Sequence, residues 1–302
     1  MQICESVNQK NPLVKSSIAL GYFDGIHKGH RAVIQNAVNF AEQNQMQPAV
    51  FTFELPAQNS LKGKQLLSWN EKQKRLEHLG VKYCYKPPFA QIQQMTPRQF
   101  VEEYLKETCG AKAVFCGENF TFGKEKSGNI ALLKELCLQN NIHLQVVPMA
   151  QVKGQPVSST RIRSLLLDGD IETANLLLEE PYCIDYSVQH GAGNGNVWGF
   201  PTINQIFPKE ALIPKQGVYI TSAQLQDGTR LAGATGLGTR PTVGGEGVTC
   251  ETFFPNYHGD LYGQTVRVEF FKYLKPVVKF ESIDQLKEYV FDAAQAALDY
   301  FK

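Results

Sequence analysis

The periodicity of this chain changes once, near Glu179-Glu180-Pro181, and that change limits the fold more than any other feature of its 302 residues. Before it, strand patterns alternate with helix patterns. A helix over 31–44 carries Val33, Ile34, Ala37, Val38, Phe40 and Ala41 on one face. A buried strand over 48–53, a helix over 71–79 closed by Gly80, and a strand over 81–85 follow. Thr96-Pro97-Arg98-Gln99 reads as a helix start, with Thr as N-cap, Pro in the first turn and Gln closing a capping box. Strands over 112–116 and 142–147 flank a helix over 130–138. Such alternation implies a mostly parallel sheet with helices on both faces, and in these sheets ligands sit beyond the carboxyl ends of the strands.

After Pro181 helical periodicity disappears until Ser282. Short β-rich runs replace it over 183–188, 217–225, 229–235, 249–254 and 265–274, with Val266, Val268 and Phe270 alternating with Arg267 and Glu269. Glycine-rich turns between strands of this kind suggest a small closed antiparallel barrel. A last helix over 283–301 would pack Ile283, Leu286, Tyr289, Val290 and Ala293. The expected domains are therefore residues 1–180 and 181–302, in line with about 150 residues per domain.

Composition narrows the function classes. Apolar residues at 43% and charged residues at 20% suit a globular protein with a substantial core, and a net charge of +1 gives no footprint for nucleic acid or a membrane surface. The N-terminus has no basic region followed by an apolar one, and no apolar run is long enough to span a bilayer. Seven scattered cysteines, mostly in apolar segments, read as reduced buried thiols of a cytoplasmic protein.

Three segments carry chemistry. In Ile18-Ala-Leu-Gly-Tyr-Phe-Asp-Gly-Ile-His-Lys-Gly-His30 an apolar strand enters a glycine turn with two histidines, and a helix is expected from Arg31. Gly21, Gly25 and Gly29 let backbone approach phosphate oxygens, and the helix N-terminus adds amide donors. His27 and His30 can both donate to one phosphate, which suits a nucleoside triphosphate. Zinc would need three or four ligands, and His78, His143, His190, His258 and the cysteines show no paired spacing. Val157-Ser-Ser-Thr-Arg-Ile-Arg163 gathers hydroxyls and guanidinium groups at a helix start, reading either as a second phosphate grip or as a capped helix with solvated arginines.

The third segment, Gly191-Ala-Gly-Asn-Gly-Asn-Val-Trp-Gly-Phe-Pro-Thr-Ile-Asn204, is another glycine loop, a phosphate wrap or a hairpin turn. Thr202 and Asn204 then offer hard oxygens two residues apart on one strand face, as Mg²⁺ prefers. Glu251, a carboxylate in an apolar strand, is either an edge-strand surface residue or a base for a hydroxyl nucleophile.

Together these segments resemble the prokaryotic bifunctional riboflavin kinase and FAD synthetase family from about residue 15 to residue 300. The matching stretches stand in the family's order: Gly21 to His30, Gly117-Glu-Asn-Phe-Thr-Phe-Gly123, Ser158 to Arg163, Gly199-Phe-Pro-Thr-Ile-Asn204, Pro214 to Tyr219, Gly238-Thr-Arg-Pro-Thr-Val243, Glu251-Thr252 and Asp260-Leu-Tyr-Gly263. The resemblance implies an N-terminal α/β nucleotidyltransferase domain with a Rossmann-like parallel sheet, then an antiparallel β-barrel kinase domain with a C-terminal helix. It implies phosphorylation of riboflavin to FMN with ATP and Mg²⁺, and adenylylation of FMN to FAD with release of pyrophosphate.

Carried over position by position, Gly21, Phe23, Asp24, Gly25, His27, Gly29, His30, Ser159, Thr160, Arg161 and Arg163 match the adenylyltransferase ATP site. Asn119 falls in a flavin-side segment. Gly191, Gly193, Gly195, Gly199, Pro201 and Thr202 match the kinase ATP site, with Thr202 and Asn204 as the metal pair and Glu251 as the base. The chain departs from the family at Glu54-Leu55-Pro56-Ala57, where many relatives have Glu-Pro-His-Pro, at Asn196-Val197-Trp198, which lacks a basic residue, and at Pro255-Asn256-Tyr257-His258-Gly259. Those departures keep two alternatives open: a flavin-binding regulatory protein, or an FMN adenylyltransferase with a degenerate kinase domain. A related nucleotidyltransferase acting on phosphopantetheine or nicotinate mononucleotide would share the histidine turn but not the second-half motifs.

Overall fold

The computed structural model describes all residues except 6, 8–14, 54–62, 192–193, 226 and 240–247. The departure at Glu54–Ala57, Gly193, and the Arg240–Val243 part of one matching stretch lie outside the described residues. Two compact bodies make up the chain: Met1–Gly63 with Trp69–Ser159, and Lys64–Ser68 with Thr160–Lys302. The division falls at Ser159/Thr160, earlier than the 180/181 expected from the change of pattern. The helix Ile171–Leu178 joins the second body because the Asn175 amide donates to the Phe270 carbonyl (2.8 Å) while its oxygen accepts the Tyr182 N–H (2.7 Å).

In the first body, β1 (Gln2–Cys4), β2 (Ser16–Leu20), β3 (Gln47–Phe51), β4 (Tyr83–Tyr85), β5 (Ala111–Gly117) and β6 (His143–Val147) form a parallel sheet in the order β1-β4-β3-β2-β5-β6. From β2 the chain winds to one side through β3 and β4, then returns to β2's other side as β5. That reversal is the topological switch point at which open α/β sheets bind ligands. β2 is wholly buried, so its carboxyl end delivers the next residues from a rigid position. Helix α1 (Lys28–Gln43) buries Val33, Ile34, Ala37, Val38 and Ala41, the face the spacing predicts. The capping box forms, with Thr96 Oγ1 accepting from Gln99 N (3.2 Å) and Gln99 Oε1 accepting from Thr96 N (3.0 Å). Helix α2 (Trp69–His78) is unusual: its buried residues are Glu71, Lys72, Arg75 and Leu76, three of them charged. A two-stranded hairpin, β7 (Gln151–Val152) and β8 (Gln155–Pro156), follows β6.

In the second body, β9 (Tyr182–Ser187), β10 (Thr202–Ile206), β11 (Gly217–Gln224), β12 (Arg230–Thr239), β13 (Val248–Phe253) and β14 (Thr265–Lys275) pair antiparallel in the order β10-β13-β12-β11-β14-β9. The sheet curls until its edges meet. Gln205 of β10, fully buried, donates through Nε2 to the carbonyls of Tyr186 (2.6 Å) and Val266 (2.7 Å). Tyr182, Tyr219, Val268 and Phe270 fill the interior, crossed by a hydroxyl chain in which Thr235 Oγ1 meets those of Thr221 and Thr252, each at 2.8 Å.

The terminal helix Ile283–Tyr300, capped by Ser282, lies on the outer face of β11 and β12. Its buried residues are Ala293, Ala294 and Ala297, with Leu286 and Val290 packed beside Phe200, Ala234 and Phe253. Ile283 is a correction: as the first helical residue it lies off the packed stripe and is 49% exposed.

Candidate functional sites, one in each body

The residues after β2 turn sharply. Phe23, Gly25 and Ile26 all take positive φ (53°, 88° and 43°). Left-handed backbone costs a non-glycine residue on the order of 1 kcal/mol or more, and it persists where the surroundings enforce it. Here burial does so, since Phe23 and Ile26 have almost no exposed surface. Gly21 has a specific reason: a Cβ there would lie 2.8 Å from the Phe23 ring.

Helix α1 begins at Lys28, three residues before the expected Arg31, because His27 is its N-cap: Nδ1 accepts the His30 N–H at 3.3 Å. With Nδ1 an acceptor, the His27 proton sits on Nε2. The two imidazoles stack at 3.6 Å with planes 16° apart, and the Phe23 ring meets His30 edge-on at 5.4 Å. Burial pushes His27 down to about 4, only partly offset by a backbone hydrogen bond. Burial also holds His30 well below its usual value, helped by the charges of His27 and Lys72. Both rings are therefore neutral donors at neutral pH. His30 Nδ1 is buried with no hydrogen-bond partner among the described residues.

Ser159 comes to this turn, its Oγ donating to the Asp24 carbonyl at 2.9 Å. Thr160, Arg161 and Arg163 belong to the second body. There Arg163 is buried, and its Nε donates to the Lys64 carbonyl (2.9 Å). Asn119 is exposed in the turn after β5, the neighbour of β2. The sequence reading missed Lys72, a buried lysine that donates to the Tyr22 carbonyl at 2.6 Å.

In the second body the strand pairing assembles the site. Asn204 lies opposite Glu251, Thr202 opposite Phe253, and Gly236 opposite Glu251 from the other side. Directly paired residues share a face, as do residues two apart, so Thr202, Asn204, Glu251 and Phe253 all project from the outer face. Asn204 Nδ2 donates to the Thr202 carbonyl (3.3 Å), and Glu251 Oε1 accepts from Thr249 (3.4 Å).

Two cavities meet at Thr202. One, of about 260 Å³, is lined mostly by apolar and aromatic groups, among them Phe200, Phe253, Phe280, Tyr289 and Val290, with Glu251 in its wall. The other, of about 300 Å³, lies between Pro201–Ile203 and Tyr257–Tyr262, so the departing Tyr257-His258-Gly259 stretch forms its wall.

The glycine loop differs from a simple wrap, because Asn194–Trp198 is a helical turn. A Cβ on Gly191 would lie 2.7 Å from Asn204 Nδ2, and one on Gly195 2.7 Å from the Phe200 carbonyl oxygen. Gly199 takes φ +87°. Gly191 thus lets its backbone lie close against the Asn204 amide, and the donor set there, neutral oxygens beside a carboxylate, is of the kind a hard cation takes.

The two folds define the class. A FAD synthetase family model matches residues 9–161 and a riboflavin kinase family model residues 178–301. The chain belongs to the bifunctional riboflavin kinase/FMN adenylyltransferase family. It is 31% identical to the member from Bacillus subtilis, covering 97% of this chain and 94% of that protein, and 30% identical to the one from Listeria monocytogenes, covering 90% and 88%. A crystal structure described as a macrolide-efflux protein from Streptococcus pneumoniae shares the fold with a TM-score of 0.87 at 28% identity, covering 98% of this chain and 99% of that one. Among the described residues of the present chain, no helix is long and apolar enough to cross a membrane.

Proposed function

We infer that the chain makes FMN and then FAD, with the two reactions at separate sites. The observation that carries this reading is the placement of two chemically distinct constellations in two compact bodies: neutral imidazoles on a helix N-terminus in one, a carboxylate over an apolar cavity in the other.

In the second body, the apolar cavity takes the tricyclic ring of riboflavin and the ribityl chain runs toward Glu251. The carboxylate accepts the 5′-hydroxyl proton as that oxygen attacks the γ-phosphorus of ATP, and ADP leaves. The nucleotide occupies the cavity on the far side of Thr202, bounded by residues 257–262. Thr202 and Asn204 would hold Mg²⁺, which when bound neutralises charge on the transferring phosphoryl group. Tyr257 and His258 replace what most relatives carry, and they still wall a cavity, which favours a working kinase over a degenerate one.

In the first body, a phosphate oxygen of FMN attacks the α-phosphorus of ATP and pyrophosphate leaves. The His27 and His30 N–H groups, the amides at the start of α1 and those of the Gly21–Gly25 turn stabilise the charge that develops. Ser159 fixes the turn, and Asn119 serves the flavin. Alignment and charge stabilisation suffice, since phosphoryl and nucleotidyl transfer need little covalent help. Seven free thiols, six of them buried, fit a reducing cytoplasmic setting.

The test is incubation of the protein with riboflavin, ATP and Mg²⁺, followed by chromatographic separation of riboflavin, FMN and FAD. Successive appearance of FMN and FAD is expected. No FMN from riboflavin removes the kinase; no FAD from supplied FMN removes the adenylyltransferase.

A further inference from the structure

Helix α2 turns a charged side inward, and one charge there points at the histidine turn. Lys72 is 7% exposed. Its Nζ donates to the Tyr22 carbonyl (2.6 Å), inside the Gly21–His30 segment, and to Thr52 Oγ1 (2.8 Å), just past the end of β3. Thr52 Oγ1 donates to the same Tyr22 carbonyl at 2.8 Å. The ammonium also lies 5.1 Å from the Tyr22 ring centre and 5.9 Å from that of Trp69. One cation thus ties α2 to the first residues of the turn and to the neighbouring strand.

Stability alone is a poor reason for this arrangement. Burying an ammonium carries a desolvation penalty of several kcal/mol, and apolar groups of similar shape commonly do as well or better. The histidines beside it are neutral, so the turn's own imidazoles bring no full positive charge to a polyphosphate. Lys72 supplies one, fixed in place and shielded from solvent, where its field is stronger than at a surface.

We propose that Lys72 is a positioning residue for adenylyl transfer: held on the Tyr22 carbonyl, it sets the course of the histidine turn and keeps a fixed positive charge behind the site where the triphosphate reacts. The proposal rests on the Gly21–His30 turn being the adenylyltransferase ATP site, and His30→Ala tests that reading separately. If His30→Ala leaves FAD formation intact, the site reading fails whatever Lys72 does.

The experiment compares Lys72→Met and Lys72→Arg in the full chain. FMN adenylylation is measured as kcat and as KM for FMN, with riboflavin phosphorylation in the same preparations reporting an intact second body and thermal melting reporting the first. Lys72→Met is expected to lower adenylylation kcat by about 100-fold, the usual scale for losing one preorganised electrostatic group, with the KM for FMN and riboflavin phosphorylation within twofold of the parent. Lys72→Arg, which keeps the charge, is expected to recover at least tenfold of that loss. Adenylylation within threefold of the parent in Lys72→Met overturns the proposal. So does equal loss in both variants, which would make shape rather than charge the determinant, and so does a collapse of the first body's melting transition, which would make Lys72 a residue of the fold.

Discussion

Under the proposed assignment the two bodies handle phosphate in opposite ways. In the parallel sheet the site stands at a strand end and is mostly backbone: a strained turn, the first amides of α1, and two imidazoles that burial keeps neutral. In the barrel the site stands on a sheet face and is made of side chains, with Glu251, Asn204 and Thr202 brought side by side by strand register beside an apolar cavity. The contrast follows from topology. Parallel strands free their carboxyl ends for loops, whereas a curled antiparallel sheet offers an outer face that a helix can roof. A site of the first kind tolerates change in most side chains except those that shape the turn. One of the second kind depends on a few groups and on the volume left between them.

The largest effect is expected from the barrel's carboxylate. Glu251→Gln keeps the shape and removes the base, so riboflavin phosphorylation should fall by about 10³-fold while supplied FMN is still converted to FAD. Next comes His30→Ala, which removes a donor and the stacked partner of His27. Adenylylation should drop by about 10²-fold or more and FMN should accumulate. Equal loss of both activities in either variant would break the comparison, because it would mean one shared site.

Gly236→Val sharpens it. A Cβ at Gly236 meets nothing within 4 Å, and the residue lines the apolar cavity opposite Glu251. The added methyl groups should raise the KM for riboflavin by about tenfold while FAD formation from FMN stays at the parental rate. An unchanged KM would move the flavin ring elsewhere.

The last effect falls on stability and its pH dependence, not on either reaction. His27 is depressed to about 4 in the folded chain against an unfolded value near 6.5. Between those values the unfolded state binds more protons, so stability falls as the pH drops from 6.5 toward 4 and levels off below. At pH 5 the loss from this group is about 2 kcal/mol at most. Urea unfolding of the first body, followed by Trp69 fluorescence in a Trp198→Phe background, should show this slope, and His27→Gln should make it shallower while His30, also held low, keeps its own share. A slope unchanged by His27→Gln would contradict the neutral, buried imidazole.

What could be read in the chain follows the distance over which each feature is built. The strand, turn and histidines are contiguous, so the first site was legible. The start of α1 was misplaced because an imidazole caps it, outside the usual Ser, Thr, Asp or Asn. Lys72 stayed hidden because α2 buries Glu71, Lys72 and Arg75 beside Leu76, so apolar periodicity does not reveal its inner face. In the barrel Thr202, Asn204 and Glu251 were visible as residue types, but the register that pairs Asn204 with Glu251, and the open space at Gly236, are products of tertiary pairing. The division of the compact bodies at Ser159/Thr160 has no local signal for a similar reason: helical pattern persists to residue 178, while the tie from Asn175 to Phe270 spans 95 positions.

Independence of the two sites is tested most directly by complementation in trans. Glu251→Gln and His30→Ala proteins are each given riboflavin, ATP and Mg²⁺, alone and mixed. Each alone should make FAD at no more than about a hundredth of the parental rate, the first for want of FMN and the second for want of adenylylation, and the mixture should make it far faster than either. A mixture that makes FAD no faster than its components although FMN accumulates, or either protein alone making FAD from riboflavin at the mixture's rate, would contradict the assignment of one reaction to each body.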